Sequence, residues 1–407
     1  MTDLNKIPGV KTISPLDKWC VHAYYSLCPY APDGSGRLLF SAADLETGRS
    51  KVYIRSKEGE ILDVFGDEVV ESSYYHTGNW QTWSPDAKAV YYQAGTQMNP
   101  KIVRHDLETG EDIIIDGDME GAPTSGEPIV SGYLGMLYAA GYANGDYHPE
   151  QAPFPFEARD SHGLFRHYVS EKRSELFMSV NQMLEKHPLR EHLLKEEQLL
   201  KERIGEKEQL TLMAYCVRWS QKGDRCLFHF GNHCVDKKRT EPRLSYVFTA
   251  DKDFNDIHFA LDLSAPRGGG HWSWHPDGIH LIGYGPDPED ESRKCVCMVK
   301  YDGTGYKKIS SHNSCGHPSI SPVDYNLLVT DETNRSPGRV VFIDLTTDTE
   351  VGSYVLPRRI GETEPAGRNP FRVCHHPVFN QDGTKVLCNT LPGKNAVLCE
   401  LDVPKRQ

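Results

Sequence analysis

The sequence predicts an all-β fold, a seven-bladed β-propeller with a helical insertion between blades three and four. Three observations carry the expectation. A turn motif recurs at blade spacing, one gap between turns is too long for a single blade, and the one clear helical pattern lies inside that gap.

The turn motif comes first. "PYAPDGSGRLLFSA" starts at Pro29, "TWSPDAKAVYYQAG" at Thr82 and "RWSQKGDRCLFHFG" at Arg218. "SWHPDGIHLIGYG" starts at Ser273, "SISPVDYNLLVTDE" at Ser319 and "PVFNQDGTKVLCNT" at Pro377. Each reads as a strand, a tight turn holding Asp or Gly, and a second strand. "DLETGR" (44–49), "DLETGE" (106–111) and "DLTTDTE" (344–350) then close third strands. The result is a four-stranded unit of about 50 residues, the period of a propeller blade.

The spacing supplies the count. The turn aspartates Asp33, Asp86, Asp224, Asp277, Asp324 and Asp382 are separated by 53, 138, 53, 47 and 58 residues. The long gap contains residues 170–209, rich in Glu and Lys with helical apolar spacing. Without those 40 residues it spans 98, enough for two blades, so a degenerate blade is expected near "PIVSGYLGMLYAAGY" (128–142). Six visible units and one hidden unit make seven. The N-terminal strand is expected to complete the last blade, and residues 1–407 to form one propeller domain. The insertion at 170–209 would serve as a lid, as a homodimer contact or as surface decoration.

Composition narrows the function. The net charge of −12 argues against nucleic acid and against an anionic membrane surface. No apolar stretch reaches 18 residues, and "MTDLNKIPGVKTISPLDKW" does not read as a signal peptide. Eleven cysteines, an odd number with no Cys-x-x-Cys pair, suggest reduced thiols in a cytoplasmic protein. Phosphate-loop, nucleophile-elbow and zinc-knuckle motifs are missing from the chain.

In a propeller the first strand of each blade lines the central channel, and groups near its start converge at one mouth. Six or seven residues before the turn aspartate stand His271 in blade five, His317 in blade six and His376 in blade seven. Converging imidazoles suit a transition-metal site or acid–base catalysis, and His375 and Cys374 add donors beside His376. A set of hydrogen-bonded channel histidines without chemistry is the plainer alternative. "HFGNHCVDKKRTEPRLSY" (229–246) forms a local basic patch with His229, His233, Lys237, Lys238, Arg239 and Arg243. His22, Tyr24 and Tyr25 on the first strand, and His76, Asn79 and Trp80 before blade two, are further candidates at that mouth, as are Asp146, Tyr147 and His148. Of Trp272 and Trp274, at most one should face the channel with His271, the other packing the blade.

These segments resemble the oligogalacturonate lyases, cytosolic seven-bladed propellers. "VHAYYSLCPYAPDGSGRLLFSA" is similar to their first blade, and "HFGNHCVDKKRTEPR" to their His-Gly-His segment ending in a substrate-binding arginine. "GGGHWSWHPDG" resembles the segment of their proposed base, and "CGHPSISP" and "CHHPVFNQDG" their two metal-binding segments. The resemblance implies a lyase that cleaves oligogalacturonate or a related uronic-acid oligosaccharide by metal-assisted β-elimination. His271 would be the base and Arg243 would bind the uronate carboxylate, with His22, His76, His229 and His233 also meeting substrate. His317, His376 and His375 would hold a divalent metal, manganese first, with zinc or calcium as alternatives. The sequence departs from the family where its His-Pro-His pair becomes Cys374-His375-His376-Pro377 with no nearby upstream Gln, so His375, Asn369 or Cys374 would have to stand in. A non-catalytic propeller that binds a sugar or a protein, and another sugar-active metalloenzyme, are the rival expectations.

Overall fold

The computed structural model describes residues 2–70, 75–96, 98–132, 153–232, 239–332, 337–358 and 373–406. They form seven antiparallel sheets, the blades of a propeller. Blade one runs from Trp19–Val21 to Ile61–Val69, and blade two from Thr82–Trp83 to Asp112–Asp116. Blade three has three described strands, Ile129–Ser131, Gly163–Tyr168 and Arg173–Ser179. Blades four, five and six span Met213–Asp262, Gly270–Ser310 and Ser319–Leu356. In blade seven Val378–Phe379, Lys385–Thr390 and Val397–Asp402 are joined by Val10–Thr12 from the N-terminus. Val10 pairs with Leu401 and Thr12 with Cys399, so the two ends of the chain share one sheet.

The blades form where the turn motif predicts because the turn aspartates act locally. Asp33, Asp277 and Asp382 each accept a hydrogen bond from a main-chain amide two residues on, which sets the turn without help from distant contacts. The strands that follow alternate less than solvent-facing strands do, because both faces pack against neighbouring blades. Leu38–Asp44 and Ala89–Gly95 are almost entirely buried.

The degenerate blade expected near 128–142 begins at Ile129–Ser131, while 133–142 lie outside the described residues. The helical stretch is shorter than 170–209. Residues Arg173–Ser179 are the edge strand of blade three, and helix is confined to Val180–Lys186 and Arg190–Ile204. Ser179 marks the switch: its hydroxyl caps the Gln182 amide while the Gln182 side chain returns to the Ser179 amide. These helices precede Met213–Trp219 in the chain. Val180, Leu184, Leu193 and Leu200 bury their side chains with Phe228, Phe230 and Tyr246 of blade four, so the helical pair shares that blade's core. The ten described cysteines are all free thiols.

Candidate active site

Six blades deliver side chains to one buried cluster at the centre of the ring of blades. The His271 and His317 rings lie 4.2 Å apart, and those of His317 and His376 4.3 Å apart. His76 lies 5.3 Å from His376. Tyr24 approaches His376 at 4.7 Å, and Tyr25 approaches His317 at 5.2 Å. Trp80 packs on Tyr24, and the Arg218 guanidinium sits over the Tyr24 and Tyr25 rings at 5.0 and 5.6 Å.

The backbone is bent to present these groups. Trp80, Cys216, His271, Cys315 and His376 all adopt left-handed φ values, between 45° and 56°. A non-glycine residue there costs roughly 1–3 kcal/mol, and such outliers concentrate at functional sites. Here they occur just before or within the first strands of blades two, four, five, six and seven. In blades four and five the pairing register also slips, between Tyr215 and Arg218 and between Gly270 and Ser273. That bulge decides the question of the two tryptophans, because simple alternation no longer holds. Trp272 is wholly buried in the blade, where Gly283 and Gly285 leave room for its ring. Trp274 is half-buried and donates its indole N–H to the Arg218 carbonyl.

Each imidazole has a defined setting. His271 places Nδ1 2.6 Å from the Gly316 carbonyl, so Nδ1 carries the proton and Nε2 keeps its lone pair. Burial, aided by His317 and Arg218, holds its pKa well below the usual 6.5. His317 directs Nδ1 at Asp331, 2.9 and 3.1 Å from its two oxygens. Burial opposes ionisation of Asp331, but His317 outweighs it and holds the carboxyl well below the usual range. His376 is grouped with His76 and Cys374: all three are buried, and their donor atoms lie within 4.8 Å of one another. His375, expected among the metal ligands, is turned away from that group. Its Nδ1 donates to the Asn389 carbonyl, and its Nε2 lies against Gly338, where a Cβ would come within 2.1 Å. His22 is fully buried 6.2 Å from the His376 ring, and burial pushes its pKa down to about 4.

The basic patch divides. His233, Lys237 and Lys238 lie outside the described residues, as do Asp146, Tyr147, His148 and Asn369. Arg239 is spent on ion pairs to Glu208 (3.0 Å) and to the buried Glu241 (2.7 Å). Arg243 is exposed beside strand Ser245–Asp251. His229 is buried on the second strand of blade four, its ring 5.2 Å from Tyr215.

Sequence reasoning does not single out Arg218, Asp331 or Glu120. Arg218 was findable. It stands six residues before Asp224, the spacing that identifies His271 and His376, and Trp80 stands six before Asp86. Glu120 and Asp331 lie outside the repeat position, and no spacing marks them.

No family model matches the chain, and no curated protein matches it. Solved structures do. An oligogalacturonate lyase in complex with manganese superposes with a TM-score of 0.64 at 15% identity, over 97% of this chain and 93% of that one. An oligogalacturonate lyase from Vibrio parahaemolyticus superposes with a TM-score of 0.63 at 15% identity, over 97% and 94%. A chain of a mitotic checkpoint complex reaches 0.52 at 10% identity, over 100% and 97%. The likeness is one of fold: this chain has the seven-bladed propeller fold seen in oligogalacturonate lyases. No helix among the described residues is long and apolar enough to cross a membrane.

Proposed function

We propose that this protein is a lyase that cleaves oligogalacturonate or a related uronic-acid oligosaccharide by metal-assisted β-elimination in the axial chamber. The observation that carries the reading is the state of His271. Its proton is committed to the Gly316 carbonyl, its pKa is depressed, and its Nε2 makes no hydrogen bond among the described residues. That is a general base kept ready at neutral pH.

In the reaction His271 Nε2 takes the proton from C5, alpha to the carboxylate. The electron pair left behind forms the C4–C5 double bond as the bond from C4 to the leaving oxygen breaks. The leaving oxygen takes a proton from water, His271 returns its proton to the hydroxide so formed, and the new end of the chain is an unsaturated uronate. The step requires that the carboxylate charge be neutralised, since the enolate-like state adds a second negative charge.

A metal ion when bound supplies part of that neutralisation as a Lewis acid. The residues present fit one. His76, Cys374 and His376 are buried with their donors close together. The Nδ1–carboxylate contact of His317 is the support that metal-binding histidines commonly have, and its ring is 4.3 Å from that of His376. A thiol among imidazoles favours zinc over manganese and disfavours calcium.

The same reading takes the helices of 180–204 as an insertion between blades three and four that braces the loop leading to Arg243. Arg203 reaches the Thr240 carbonyl, and Glu208 pairs with Arg239.

The test is ultraviolet absorbance of the purified protein with a panel of uronate oligosaccharides, with and without added Zn²⁺ or Mn²⁺. An unsaturated-uronate band that grows with wild type and is absent with His271→Ala is expected. A flat trace across the panel with every metal would overturn the proposal.

A further inference from the structure

Arg218 is a cation buried beside His271 with donors to spare. It is 7% exposed. Its Nη1 donates to the carbonyl of Trp272, the residue after His271, and to the Tyr25 hydroxyl at 3.2 Å. Its Nε and Nη2 make no hydrogen bond among the described residues. A guanidinium stays charged at any pH a protein survives, and a buried charge without a counter-ion is costly.

Among the described residues no acid forms an ion pair with it. Asp331 is committed to His317. Glu120 spends Oε2 on the Val217 amide at 2.7 Å and lies beyond ion-pair distance of Arg218. Burial pushes the Glu120 carboxyl up to about 7 despite the opposing pull of Arg218, so near neutrality it is only partly ionised. Arg218 therefore has no carboxylate within ion-pair distance among the described residues.

We propose that Arg218 binds the carboxylate of the uronate residue whose C5 proton faces His271. Resting on the lyase reading for its substrate class, the inference adds the group that grips the reacting sugar. Geometry supports it. Base and carboxylate clamp must lie within roughly 8 Å of one another, about 3 Å from each to the sugar. Arg218 meets that need through its bond to the residue following His271. Two unspent nitrogens, Nε and Nη2, on one guanidinium suit a carboxylate, which Lys cannot pair in the same planar way. Arg243, exposed on the loop before Ser245–Asp251, is left for another uronate along the chain.

The test uses sodium galacturonate, which as a monosaccharide has no glycosidic leaving group, and its methyl ester as the uncharged control. Binding to the full-length protein is followed by NMR or calorimetry at low salt for wild type, Arg218→Gln, Arg218→Lys and Arg243→Gln, with circular dichroism checking the fold. Wild type should bind galacturonate and not the ester. Arg218→Gln should weaken binding at least tenfold, Arg218→Lys by a smaller factor, and Arg243→Gln by less than threefold. If Arg218→Gln does not fold, Arg218→Lys decides, since a merely structural cation would leave affinity for galacturonate unchanged. Equal binding by wild type and both Arg218 variants, equal binding of the ester, or no binding by wild type each overturn the inference. Arg218-dependent binding with no cleavage of any oligosaccharide sinks the lyase reading and leaves this one standing. Cleavage whose KM is indifferent to Arg218 does the reverse.

Discussion

Replacing Asp331 by Asn tests the pair that holds His317 in the chamber. The carboxylate accepts from the His317 amide at 2.7 Å and from Nδ1 at 2.9 and 3.1 Å, with both side chains almost wholly buried. A buried hydrogen bond to a charged group is worth about 1.5–3 kcal/mol. Asn keeps one acceptor for the amide but turns an NH₂ or a neutral oxygen toward Nδ1, so a loss of about 1.5–3 kcal/mol is expected. The pH dependence has a definite sign. The folded carboxyl titrates below its unfolded value, so its contribution is complete above the ordinary carboxylate range and declines as pH falls through it. Equilibrium urea unfolding of both proteins should therefore show a constant gap from about pH 6 to 8, narrowing below about pH 4. A gap under about 0.5 kcal/mol, or one that widens on acidification, would refute the view that Asp331 positions His317.

Further expectations follow from the same interior. Burial lowers His22 to about 4 and His167 to about 3, so each takes up a proton on unfolding below about pH 6.5. Stability should then fall on acidification with a slope approaching about 1.4 kcal/mol per pH unit per histidine, and urea midpoints indifferent to pH would contradict this. Gly283→Ala would put a Cβ 2.5 Å from the Trp272 ring and 2.8 Å from its Cα, so thermal unfolding should report a loss of about 1–3 kcal/mol. Cys374→Ser should lower zinc content by elemental analysis after dialysis without unfolding the protein, whereas unchanged zinc would remove the thiol from the ligand set. If His271 is the base, the acid limb of kcat/KM should lie well below pH 6.5, and a limb centred at 6.5 would exclude it.

The blade count was legible because turn chemistry is local. An Asp that accepts from the amide two residues on needs no distant partner, so the motif survives wherever it occurs. The end of blade three was not legible, because "SELFMS" (174–179) carries apolar residues at a spacing that serves strand or helix, and only the Ser179 cap divides them. The setting of His375 was not legible for a related reason. Alternation along a strand cannot say which of two adjacent histidines faces the axis when the backbone enters a left-handed turn, and His376 has φ 45°.

The histidines of the chamber could be read from spacing because His is scarce, with 18 in the chain, so three at one repeat position stand out. Arg218 occupies the same position and passes unnoticed, because Lys and Arg total 45 and an arginine is expected at the surface. Position within the repeat is the better guide than residue type. Six residues before the turn, the first strand carries its side chain inward, with a left-handed backbone at that residue in blades two, five and seven. On blades two, four, five and seven that position holds Trp80, Arg218, His271 and His376. Five left-handed residues at roughly 1–3 kcal/mol each would be a heavy load for a ring that only packed against itself. Strain of this kind concentrates at functional sites.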